Sequence, residues 1–573
     1  SGSEDRVLVD PAALDERGLI ALDWWYPNRD GSLVAYGVSE NGDELSTLHV
    51  LDVASGRLRS DKIPNTRATS LAWLPDGSGF YYTRLEDAAY YRRHVRFHEL
   101  GTPSDSDRVV FGAGRDAEEW PLVALSHSGR FLIVTAHRGW SSSDVYVADR
   151  ARSDTDFRVA VESRSATYDA DTMGDQLIVR TNDGAARFAL FEAPLERPER
   201  AGWAPVVPET EGVLQGVAIA RDAFVLTYTR EVAAEVVVRR RDGTSFAVEL
   251  PPLGSVAAAS ASEDSDDVYL HFESYLEAPT IFRLDARDGT TDVWERLSSP
   301  IDPKAYDVRR EWFVSRDGTR VPLFVLAARE RARDGGGAPC VLTGYGGFAI
   351  SRTPKFVASI VPWLDAGGVY AVANLRGGGE FGAAWHRAGM RANKQNVFDD
   401  FIAARDYLAS SGIADPARIG IVGGSNGGLL VAAAAVQRPD LARAVVCAVP
   451  LTDMLRFPRF LLGRLWVDEY GDPDDANDFP HLFAYSPYHN VREGVAYPSM
   501  LIVSAEADSR VDPAHARKFA ARLQAASSSG RPVYVYVEAQ AGHGAGKPRT
   551  KLVEELVDRW SYFGNELGVT FLR

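Results

Sequence analysis

Arg418-Ile-Gly-Ile-Val-Gly-Gly-Ser-Asn-Gly-Gly-Leu-Leu-Val431 decides how this chain is read. An apolar strand runs directly into Gly423-Gly-Ser425-Asn-Gly427, and an apolar helical stretch, Leu429 to Val436, follows it. Strand, Gly-x-Ser-x-Gly and helix in that order form a nucleophile elbow. The turn is so tight that side chains beside the serine would clash, hence the flanking glycines. The strain exposes the Ser425 hydroxyl and leaves the Asn426 N–H aimed at the reaction centre. A phosphate-binding turn or a plain tight turn can share the five residues, but the strand–turn–helix context favours the nucleophile.

In an α/β-hydrolase the triad acid and then the histidine follow the serine along the chain. Tyr497-Pro-Ser-Met-Leu-Ile-Val-Ser-Ala-Glu-Ala-Asp508 reads as a buried strand ending in acidic residues, with Asp508 at its carboxyl end. Open parallel sheets keep their sites at that end. Glu506 and Asp512 are rivals that spacing alone does not eliminate. Val533 to Val537 alternates like a strand and leads to Ala541-Gly-His543-Gly-Ala-Gly546, a histidine freely placed in a glycine loop.

These residue types suit acyl transfer. A serine hydroxyl is a weak nucleophile until an imidazole takes its proton, and a carboxylate fixes the imidazole tautomer. The oxyanion needs preorganised donors, each worth roughly 3–4 kcal/mol of barrier. The Asn426 N–H is one, and the glycine turn Thr343-Gly-Tyr345-Gly-Gly-Phe348, after the apolar run Pro339 to Leu342, lies where this fold supplies the other.

Taken in order, Gly344–Phe348, Ala373–Glu380, Asn393–Asp400, Gly423–Gly428, Asp453–Phe457, Tyr485–Asn490, Asp508–Val511 and Gly542–Gly546 resemble the motifs of the prolyl oligopeptidase family. These are serine peptidases that cut short peptides after proline. The resemblance implies Ser425 as nucleophile, Asp508 in preference to Glu506 as triad acid, and His543 as base. It also implies that the Tyr345 hydroxyl joins the Asn426 N–H in the oxyanion hole.

The same resemblance supplies a specificity pocket. Trp466, in Leu465-Trp-Val-Asp-Glu-Tyr-Gly471, matches a tryptophan that stacks on the substrate proline. Phe348, Leu451, Leu462, Tyr470 and Val511 match its lining, and Arg510 matches an arginine that holds a substrate carbonyl. An uncharged, aromatic-walled slot suits a pyrrolidine ring and offers a basic side chain no counter-charge. Leu451 is larger than the valine expected there, and Ser509 replaces an acidic residue.

The first 300 residues show six repeats of β-rich runs broken by Asp-Gly, Asn-Gly or Ser-Gly turns. They include Leu33–Gly37, Leu71–Tyr82, Leu125–Val134, Gln176–Val179, Ala223–Tyr228 and Asp267–Phe272, with Val145–Ala148 and Ile281–Leu284 as outer strands. The spacing fits the ~40–50 residues of a propeller blade. The expected architecture is therefore a β-propeller over 1–303 and an α/β-hydrolase domain over 304–573, parted near Ser298-Ser-Pro-Ile-Asp-Pro303. The family's propeller has seven blades. Ser1 to Asp10 opens without Met and reads as the last hairpin of an incomplete first blade, so a longer N-terminal stretch is expected to precede it.

Composition agrees. A chain of 573 residues calls for at least two domains. With 63 basic against 79 acidic residues and a net charge of −16, nucleic acid and anionic membrane are not expected partners. Cys340 and Cys447 stand in apolar runs and read as buried thiols. Glu118-Glu119 reads as a solvated turn. No metal or other cofactor is expected, and no apolar stretch reaches the ~20 residues that cross a bilayer. The expectation is a monomeric serine endopeptidase acting on short proline-containing peptides, cytoplasmic, with a periplasmic or secreted location as the alternatives. A relative cutting after basic residues, an acylaminoacyl-peptidase, a peptide macrocyclase and an inactive propeller scaffold are the alternatives.

Overall fold

The computed structural model describes residues 5–86, 90–163, 165–330, 337–544 and 549–571. Among these, the N-terminal half forms six four-stranded antiparallel meanders, the blades of a propeller, over 20–63, 71–111, 120–161, 168–207, 213–248 and 255–296. The second strand of each blade is pressed between neighbours, so it is apolar on both faces. Phe131–Arg138 and Ala223–Arg230 are buried along nearly their whole length.

Asp-Gly-Ser/Thr turns set the hairpins. Asp30, Asp76, Asp242 and Asp288 each accept the backbone N–H two residues on, at 2.8–3.0 Å. The glycine between takes positive φ, from 69° at Gly77 to 95° at Gly243. This is the side-chain mimic of a backbone turn, with glycine where an L residue would be strained.

Two expectations need correction. Val7 to Asp10 contributes no hairpin, because Asp10 caps a helical turn, Pro11–Leu14, and all four strands of the first sheet come from 20–63. Ser1 to Glu4 lie outside the described residues. Val145–Ala148 and Ile281–Leu284 belong to third strands, with Phe157–Val161 and Thr291–Arg296 paired outside them. The outermost strand of the last blade is exposed on nearly every residue, its apolar Val293 and Trp294 included, so no buried face marked it in the sequence.

The C-terminal half is built on eight strands, β1 (Tyr306–Val314), β2 (Arg320–Ala328), β3 (Ala338–Gly344), β4 (Val369–Ala373), β5 (Ala414–Gly424), β6 (Ala444–Ala448), β7 (Ser499–Ala505) and β8 (Val533–Glu538). Their order in the sheet is β1-β2-β4-β3-β5-β6-β7-β8, parallel from β4 onward. This is an α/β-hydrolase sheet. Helices α1 (Gln395–Ser410), α2 (Asn426–Gln437), α3 (Ala514–Ala526) and α4 (Arg549–Leu567) complete the layers. Asn426 to Val436 of α2 are all buried, and its alanines let it sit close to the sheet. Cys340 and Cys447 are buried free thiols. No helix among the described residues is long and apolar enough to cross a membrane.

The two halves meet across the carboxyl edge of the sheet. Tyr91 donates to the Leu461 carbonyl at 2.6 Å, Ala383 N–H to the Ala186 carbonyl at 2.8 Å, and Trp140 packs edge-on to Phe348 at 4.7 Å. Glu118, read from sequence as solvated, pairs with Arg464 across this boundary.

Candidate active site

Ser425 stands between β5 and α2 with φ 58° and ψ −121°, a strain that a non-glycine residue adopts only when its surroundings impose it. Its N–H is held by the Ala448 carbonyl at the end of β6, 3.0 Å away. Two glycines around it leave no room for a side chain: a Cβ on Gly423 would stand 2.0 Å from the Gly427 carbonyl oxygen, and one on Gly428 2.7 Å from that of Ala448.

Asp508 and His543 leave the same sheet edge, after β7 and β8. Ala507 N–H donates to the Ala541 carbonyl at 3.0 Å, tying their two loops together. His543 Nδ1 lies 2.8 Å from Asp508 Oδ2, and Asp508 Oδ1 accepts the N–H groups of Arg510 and Val511, both at 2.9 Å. Of the three acidic candidates only Asp508 makes this contact; Glu506 is exposed, and Asp512 accepts from Ala514 N–H. Ala545 and Gly546 of the histidine motif lie outside the described residues.

Tyr345 follows β3, and its phenol lies near the Ser425 hydroxyl. Burial raises the Tyr345 pKa, against the effect of that hydroxyl, so the group stays a protonated donor. Asn426 is buried and does more than present an N–H. Its Nδ2 donates to the Tyr345 carbonyl at 2.6 Å, and its Oδ1 accepts from the Tyr470 hydroxyl at 2.8 Å.

Phe348, Leu451, Leu462, Tyr470 and Val511 are all buried, and Phe348 and Tyr470 meet edge to face at 5.4 Å. Trp466 is half-buried and packs against the hydrolase core. Trp466, Leu462 and Arg510 line an interdomain cavity of about 1080 Å³, together with Trp140, Glu44 and Arg67 of the propeller. Arg510 Nε lies 2.9 Å from Glu44, which also pairs with Arg67 at 2.6 Å. Arg67 reaches Ser509 as well, at 3.1 Å. The propeller therefore touches the loop that carries Asp508. It also touches the His543 loop, where the Gly42 carbonyl leaves no room for a Cβ on Gly542.

Sequence reasoning assigned no role to Lys394, Glu469 or His386, which lie beneath Tyr345 as a buried ionic group. For Lys394 and Glu469 the available signal was a charged residue inside the motifs Asn393–Asp400 and Leu465–Gly471, whereas His386 lies outside every motif. Glu44 and Arg67 gave none, because their contacts with Arg510 and Ser509 are made across the domain boundary.

Residues 1–296 match the family description "Prolyl oligopeptidase, N-terminal beta-propeller domain", and residues 354–570 match "Prolyl oligopeptidase family". The prolyl endopeptidase of Elizabethkingia meningoseptica is 32% identical, over 100% of this chain and 82% of that protein. A dual function macrocyclase-peptidase of Galerina marginata is 30% identical, over 98% of this chain and 82% of its own. Among solved structures, a prolyl endopeptidase superposes with TM-score 0.95 at 40% identity, covering 99% and 85% of the two chains. Prolyl oligopeptidase B from Galerina marginata, bound to a 35mer substrate, gives 0.92 at 29%, covering 98% and 82%.

Proposed function

Because the chain belongs to the prolyl oligopeptidase family of peptidases, we propose that it is a serine endopeptidase cutting short peptides on the carboxyl side of proline. The observation that carries this reading is the strained, half-buried Ser425 on the sheet edge that also presents the His543–Asp508 pair.

In the proposed reaction His543 takes the Ser425 proton as the hydroxyl attacks the carbonyl after proline. Asp508 holds Nδ1–H, leaving Nε2 as the base. Charge then develops on the carbonyl oxygen, where the Asn426 N–H and Tyr345 hydroxyl receive it. His543 passes its proton to the leaving amine, and water resolves the acyl-enzyme by the same route. Trp466, Phe348 and Tyr470 give proline flat apolar walls, while Arg510 reaches for a substrate carbonyl.

The nearby carboxylates argue against a basic residue in the pocket. Glu469 is taken by His386 and Lys394, Asp468 by Arg391, and Glu44 by Arg67 and Arg510. The test uses two matched fluorogenic peptides with proline or arginine before the scissile bond, with Ser425→Ala as control. Cleavage of the proline peptide that disappears in Ser425→Ala is expected. Preference for arginine, or activity surviving the substitution, overturns the proposal.

Similarity to a macrocyclase-peptidase favours a second outcome for the acyl-enzyme, attack by the peptide's own amine. Product mass separates the two, since the cyclic product lacks the added water.

A further inference from the structure

We propose that Glu469, together with Lys394, is a positioning residue that clamps the Tyr345–Phe348 turn and so fixes the Tyr345 hydroxyl in the oxyanion hole. The inference rests on the function proposed above. Glu469 and Lys394 are each 1% exposed, and their Oε1–Nζ distance is 3.2 Å. The other Glu469 oxygen lies 2.7 Å from His386 Nε2.

Both partners grip the same turn. Lys394 Nζ donates to the Gly346 carbonyl at 2.9 Å, one residue past Tyr345. The Phe348 backbone N–H faces the Glu469 carboxylate and helps to hold its pKa down. Between these points Gly347 is packed so closely that a Cβ would stand 2.8 Å from Asn426 Nδ2 and 3.0 Å from both Glu469 Oε1 and Lys394 Nζ. The path from Tyr345 through Asn426, Tyr470, Glu469 and Lys394 back to Gly346 is a closed ring of bonds and chain neighbours.

The turn needs holding. Gly346, Phe348 and Ala349 have φ of 64°, 59° and 53°, and the last two carry side chains that disfavour this region. Such strain persists only where the surroundings over-determine it. Burying an ion pair is a poor route to stability compared with apolar packing. Its value here lies in geometry: a shift of an ångström in a reacting group lowers the rate by about 10²-fold. Burial opposes the charge on Glu469, but Lys394, the His386 bond and the Phe348 N–H hold its carboxyl below the ordinary range. Glu469 also sits in the short helix Val467–Tyr470, directly after Trp466. The clamp thus joins the wall of the proline pocket to the oxyanion donor.

The test is a double-mutant cycle between Glu469→Gln and Tyr345→Phe, measuring kcat and KM on the proline peptide and thermal unfolding of each variant. If Glu469 acts through Tyr345, Glu469→Gln lowers kcat about 100-fold with KM within about twofold, and adds little once the phenol is gone. Losses that multiply in the double variant, or a change confined to KM, overturn the proposal. Lys394→Gln is the second probe should Glu469→Gln not fold, with the same expected non-additivity. The parent separates this from the function itself: a parent that ignores proline sinks that reading, while the cycle can still be run on whichever peptide it cleaves.

Discussion

His543 Nδ1 and Asp508 Oδ2 stand 2.8 Å apart, and Asp508 has no freedom to leave, because its other oxygen accepts two backbone N–H groups. Asp508→Asn can keep those two bonds through its amide oxygen. Its NH2 would then face Nδ1 and demand the wrong imidazole tautomer. Stability should hardly change while kcat falls about 10⁴-fold. Steady-state kinetics and a melting curve on the same preparation decide it, and a loss below tenfold would remove Asp508 from the mechanism.

Tyr345→Phe deletes one of the two proposed oxyanion donors and leaves the other, the Asn426 N–H. The expected effect is a kcat reduced on the order of 10²–10³-fold, with KM close to the parent value. Labelling of Ser425 by a fluorophosphonate should remain detectable, showing that the nucleophile is intact.

The elbow glycines are not equivalent. A Cβ on Gly423 would meet the Gly427 carbonyl oxygen at 2.0 Å, whereas on Gly424 the nearest atoms are 3.8 Å away. Gly423→Ala should destabilise by ~1–3 kcal/mol and abolish turnover by moving the serine. Gly424→Ala should stay within ~0.5 kcal/mol of the parent. Urea denaturation of the pair tests this, and equal effects would contradict the crowding.

Glu380 is buried, accepts Arg352 N–H at 2.8 Å, and is pushed by burial from 4.5 up to about 7. Between those values the folded state keeps a proton that the unfolded chain has lost, so this group makes stability fall as pH rises through the window. Each pH unit is worth about 1.4 kcal/mol. Glu380→Gln should therefore gain on the parent by on the order of 3 kcal/mol between pH 4.5 and pH 8. A stability difference that does not vary with pH would show that the carboxyl ionises normally.

Local chemistry explains what could be read early. Asp-Gly-Ser/Thr turns and alternating or doubly buried strands carry their own signals, so the blades and the sheet around Ser425 were legible. Of the glycines around Ser425, Gly423 and Gly428 are as crowded as the motif announced, and Gly424 is not. The fourth strand Thr291–Arg296 escaped notice because it is exposed on nearly every residue. Glu118 does sit in a turn, but its pairing with Arg464 was not legible because that partner lies in the other half of the chain.

By itself, the sequence determined the two architectures, the serine elbow and the candidate residues, since each rests on neighbours within one short segment. Tertiary structure brought Asp508, which the family resemblance already favoured, to His543, where spacing alone left Glu506, Asp508 and Asp512 open. It also decided that Lys394, His386 and Glu469 converge under Tyr345, and that Glu44 reaches across to Arg510. Ion pairs between distant segments leave no periodicity in a chain; they exist only once the strands and helices that carry them have packed.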